Sequence, residues 1–109
     1  MFLDWFDTKE VDALADRLAR DLVKRAPPSK VDAPGKKAAA TRARTREAVL
    51  RQVHEFTIMH RLNVFKKARL ANRFKWALRE AGYPKESVDE MALDLATLMA
   101  TTRSRVVKK

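Results

Sequence analysis

Every proline and glycine of this chain falls between stretches in which apolar residues recur every three or four positions. Pro27, Pro28, Pro34 and Gly35 make one break; Gly82 and Pro84 make another. Proline cannot donate the backbone bond a helix needs, and glycine readily takes the left-handed conformation that closes one. The stretches between these breaks therefore read as separate amphipathic helices. Strand-like alternation is missing over any useful length, while the good helix formers Ala, Leu, Arg and Lys abound. The expected fold is all-α, a single domain over residues 1–109. It is a small bundle of three to four amphipathic helices, with a Pro-rich linker after the first helix and a basic arm before the second.

The first helix is expected from about Thr8 to Arg25. Val11, Leu14, Ala15, Leu18 and Leu22 form its inward stripe. Asp7 and Glu10 have the spacing of a capping box, and Phe6 and Val11 that of a hydrophobic staple. Asp16–Arg20, Arg17–Asp21 and Asp21–Arg25 are spaced for ion pairs along the outer side. Residues 27–37 read as a mobile linker. A second helix is expected from about Arg46 to His60, with Val49, Val53, Phe56 and His60 inward and Leu50 and Thr57 at the edge. Traced backwards, that face meets Arg46 and Arg42, so residues 36–46 read as a helix-prone arm without a core face. A third helix runs from about Val64 to Ala81, its inward side made of Val64, Leu70, Ala71, Phe74, Ala77 and Leu78. The break near Arg61–Asn63 carries no proline or glycine, and one continuous rod is the alternative there. Gly82 and Pro84 close the third helix, with Tyr83 packing back on Leu78. Ser87 and Glu90 suggest a capping box for a fourth helix that turns Val88, Met91, Ala92, Leu95, Leu98 and Met99 inward. A basic tail follows over residues 103–109.

Cysteine is absent, which excludes disulfides and thiolate metal sites. No apolar run approaches a bilayer span, and Met1–Asp7 lack the charged start and apolar stretch of a signal peptide. A cytoplasmic protein is expected. His54 and His60 stand about 120° apart on one helix and cannot share a metal from a single face. No Gly-rich phosphate loop, His-Glu-x-x-His pattern or triad spacing occurs, so neither cofactor nor catalysis is expected.

Charge carries most of the functional information. The formal net charge is +10. Between Lys36 and Arg79 stand thirteen Lys or Arg, against only Glu47 and Glu55. The third helix gathers Phe65, Arg69, Asn72, Trp76 and Arg79 opposite its core face, with Lys66 and Arg73 beside them. Cations neutralise phosphates and an exposed aromatic stacks on a base. The expectation is thus a non-enzymatic module that engages nucleic acid or another polyanion through Lys36, Lys37, Arg42, Arg44, Arg46, Lys66, Arg69, Arg73 and Trp76. The cations at the start of the arm oppose the helix macrodipole, which points to a role other than helix stability.

The alternative is a helical protein–protein or homo-oligomerisation module anchored by Phe2, Trp5, Phe65 and Trp76. The acids of the first and fourth helices could face the cationic stripe of the second and third, within one chain or between two copies in a homodimer. A helix-turn-helix centred on Gly82-Tyr83-Pro84 is rejected. Its recognition helix would bring Glu86, Asp89, Glu90 and Asp94 to the phosphates. Met1–Phe6 is expected to fold back on the bundle. Peripheral membrane attachment is disfavoured, because Asp4 and Asp7, not cations, flank its aromatics.

Overall fold

The computed structural model describes residues 7–103, and over that span the chain is helical without strands. Four helices follow one another: α1 (Lys9–Arg25), α2 (Lys36–Met59), α3 (Val64–Ala81) and α4 (Lys85–Thr101), with a 3₁₀ turn at Pro28–Lys30 between the first two. The most extensive packing joins α1 to α3, and the next joins α3 to α4. α2 lies against α4 and α1 and has little contact with its sequence neighbour α3.

The core follows the periodicity closely in three helices. Val11, Leu14, Ala15, Leu18, Ala19 and Leu22 of α1 are buried, as are Leu70, Phe74 and Leu78 of α3 and Val88, Leu95 and Met99 of α4. In α2 the buried stripe is Thr45, Val49, Val53 and Thr57, one residue per turn. Such a stripe is narrow, and two of its four members carry hydroxyls. Each hydroxyl donates back to the carbonyl four residues earlier, Thr45 to Thr41 and Thr57 to Val53, both at 2.8 Å. A buried hydroxyl satisfied within its own helix escapes the cost of an unpaired polar group. Thr57 is therefore core, where periodicity had placed it at the edge. Phe56 is only partly buried, and Val64 is 80% exposed because it opens α3 beyond the bundle's apolar layer.

The structure corrects several boundaries. α2 begins at Lys36, ten residues before the expected start. Two contacts support that early segment. Arg42 Nη1 donates to the Ala33 carbonyl at 2.8 Å, and Thr45 is buried. The linker carries three turn bonds of its own, Lys30 to Pro27, Val31 to Pro28 and Ala33 to Lys30, and Val31 packs on the core. Asn63 separates α2 from α3: its side chain accepts from the Lys66 amide at 2.7 Å, an N-cap in place of a proline or glycine. Neither expected capping box forms. Asp7 accepts from the Lys9 amide and Glu10 lies 3.3 Å from His60 Nε2, while Ser87 falls inside α4, which Pro84 initiates. Phe2, Trp5 and Phe6, together with tail residues 104–109, lie outside the described residues.

Tyr83 ties the ends of two helices. Gly82 (φ 105°) closes α3 in the left-handed conformation, and the Tyr83 amide returns to the Leu78 carbonyl. The buried phenol then donates to the Ala26 carbonyl at the end of α1. Burial pushes the phenol up to about 12, against about 10 for a free tyrosine. An acid whose pKa is raised by folding favours the folded state below the unfolded value. That contribution is then lost as pH climbs from about 10 toward 12. Tyr83 is the only tyrosine, so phenolate absorbance reports it alone. The expected midpoint is near 12 in the folded protein and near 10 in denaturant. A midpoint near 10 in both would show the phenol to be solvated.

Candidate polyanion-binding surface

The helix order decides which cations remain available. Packing α1 on α3 brings acid to base between them. Arg69 grips the Asp12 carboxylate through Nε at 2.9 Å and Nη2 at 3.1 Å, and Arg73 grips Asp16 through the same two nitrogens at 3.0 Å each. The Arg69 bond holds the Asp12 carboxyl below its ordinary range against opposing desolvation, with the Thr8 hydroxyl assisting. The Arg73 bond does the same for Asp16. Across the other interfaces Arg46 meets Asp94 at 2.7 Å and Lys75 meets Asp89 at 3.6 Å. The expected complementarity of the outer pair of helices to the inner pair is realised within the chain. None of the three helical pairs expected on α1 forms an ion pair; Asp16 turns to Arg73 instead.

These arginines are half exposed, and a surface pair stabilises little. Each could exchange its carboxylate for a phosphate. The exchange would leave Asp12 and Asp16 facing that phosphate, so α3 makes a poor anion surface. What it does present is a shallow groove lined by Phe65, Ala68, Arg69, Asn72, Arg73 and Trp76. Trp76 is 65% exposed.

The opposite end of the bundle differs. Lys36, Lys37, Arg42 and Arg44 occupy the first turns of α2. Lys37 and Arg44, seven residues apart, share a face. The end of α1 and the 3₁₀ turn bring Lys24, Arg25 and Lys30 to the same end. None of these seven cations makes an ion pair among the described residues, and neither do the nearest acids in sequence, Asp21, Asp32 and Glu47. Arg42 uses one donor on Ala33 and keeps its charge. Lys66 stands apart on the first turn of α3.

Of the nine residues expected to contact a polyanion, four thus gather at the linker end, four lie on or beside α3, and Arg46 is tied to Asp94. Sequence reasoning missed Lys24, Arg25 and Lys30, which looked like ordinary last-turn and linker residues. The available signal was the linker itself, whose turn folds α1's end against α2's start. The histidines serve as edge residues. His60 stacks on Phe56 at 4.1 Å and lies near Glu10, and His54 meets the Thr102 hydroxyl at 3.3 Å. Among the described residues no helix is long and apolar enough to cross a membrane. No family model, curated protein or solved structure matches the chain.

Proposed function

We propose that this chain is a non-enzymatic binding module that engages nucleic acid, or another polyanion, through the basic end formed by the start of α2, the linker and the end of α1. One observation carries the reading. Seven cations, Lys24, Arg25, Lys30, Lys36, Lys37, Arg42 and Arg44, converge there without an acidic partner among the described residues. Where α1 packs on α3, α2 on α4 and α3 on α4, cation meets acid, whereas this end gathers seven cations without such a pair. Like charges brought together destabilise the fold modestly, and Lys36 and Lys37 also oppose the α2 macrodipole. A bound polyanion offsets both.

The test is anisotropy of labelled single-stranded DNA titrated with the protein over a range of salt. Log K is expected to fall linearly with log salt, with a slope of about −3.5 to −5, the value for roughly five to seven neutralised phosphates. Absence of binding at low salt, or a slope near zero, removes the reading.

A second reading is favoured by the α3 groove. Its arginines are neutralised by α1, and it leaves Trp76 exposed, which suits a helical partner or a second copy better than a phosphate backbone. Sedimentation would then give a mass above the monomer's, reduced by Trp76→Ala.

A further inference from the structure

Lys24 and Arg25 at the end of α1, Lys30 in the 3₁₀ turn, and Lys37 and Arg42 in the first turns of α2 line one cavity of about 540 Å³. Prolines, alanines and Thr41 complete its wall, and every charged residue lining it is a cation. The cavity between α1 and α3 is lined differently, by Asp16, Asp21 and Glu80 beside Arg20, with Lys24 on the border of both cavities.

The two cations of α1 have a bland reason to be there, since they complement the negative end of that helix. Lys30 and Lys37 have none. Lys37 sits at the positive end of a 24-residue helix whose N-cap, Gly35, offers no side chain to its first amides. That end adds positive potential to the five side chains. Arg42 is held by its bond to Ala33 and brings a preorganised fork. Thr41 donates to the Lys37 carbonyl at 3.0 Å and contributes no donor.

A nucleic-acid backbone crossing this end spreads one charge per phosphate along the strand and places only part of its charge within the cavity itself. The five cations match a group that gathers several charges within a few ångströms. We infer that this cavity binds a compact polyphosphate group of the di- or triphosphate class, free or carried at the end of a nucleotide chain. The inference deepens the polyanion reading and rests on it.

Calorimetric titration with inorganic tripolyphosphate tests it. The wild-type protein is expected to bind tripolyphosphate with one site and more tightly than orthophosphate. The double variant Lys24→Ala, Lys30→Ala removes two charge-assisted contacts and is expected to weaken tripolyphosphate about tenfold or more. The control Arg51→Ala, Lys67→Ala removes the same charge away from the cavity and is expected to stay within about twofold, the residual long-range effect. All four residues lack a described side-chain partner, and circular dichroism confirms that each variant folds. No binding, or equal weakening in both variants, overturns the cavity. Single-stranded DNA run in parallel separates the two readings. DNA binding without tripolyphosphate binding removes the cavity alone; tripolyphosphate binding lost in the Lys24/Lys30 variant, without DNA binding, removes the nucleic-acid reading alone. Preference for a 5′-triphosphorylated over a 5′-hydroxyl oligonucleotide identifies the source as a chain end; equal affinity with tripolyphosphate still bound identifies a free polyphosphate.

Discussion

Replacing Phe74 with alanine is expected to lower the melting midpoint by on the order of 15–30 °C, the size that follows from losing about 3–5 kcal/mol in a domain of this length. Phe74 is 0% exposed and lies on α3, the helix that packs extensively on both α1 and α4. Truncation there opens a cavity between three helices that cannot all close on it. A domain of about this size is stable by only about 5–15 kcal/mol in total, so the loss is a large share. Thermal melts followed by circular dichroism measure it. On the same helix, exposed Trp76→Ala is expected to cost within about 0.5 kcal/mol. Comparable melting of the two variants would mean that α3 is rotated relative to the packing described.

The second large effect concerns binding. Replacing Lys36, Lys37 and Arg44 together is expected to weaken single-stranded DNA by on the order of tenfold to a hundredfold at low salt. It should also flatten the salt slope by about 2, since each phosphate contact on a single strand contributes about 0.7. All three side chains are exposed, so the melting midpoint should not fall, and it should rise modestly as the opposing charges leave the start of α2. The pair Arg69→Ala, Arg73→Ala should behave in the opposite way. It releases Asp12 and Asp16 from their partners, which costs some stability, and leaves the affinity nearly unchanged. If the α3 pair weakens DNA more than the α2 triple does, the contact surface lies on α3 and the linker end is only a solvated face.

Several features were legible along the chain. The inward stripe of α1 and the alternating threes and fours of α4 reappear as buried faces, and the break at Gly82 and Pro84 falls where the residues say. Less was legible in α2. Its stripe contains two threonines, which a hydrophobic pattern discounts, and its first ten residues are held by Arg42 on Ala33 and by the burial of Thr45. Neither contact is visible in a periodicity. The Asn63 cap was a weaker signal of the same kind, since asparagine caps a helix but also occurs in many loops and exposed positions.

The helical stretches of α1, α3 and α4, the close of α3 at Gly82 and most of their apolar faces are set by residues a few positions apart, and the chain alone determined them for this reason; the start of α2 was not among them. Which cations stay free is a different matter. Asp12 pairs with Arg69 and Asp16 with Arg73, each 57 residues on, and Arg46 pairs with Asp94, 48 residues on. Charge attraction falls off within about a Debye length whatever the sequence separation. Only the packing of α1 on α3, and of α2 on α4, brings those partners close enough to neutralise one another. That packing neutralises Arg46, Arg69 and Arg73 and leaves the cations at the linker end without ion pairs among the described residues.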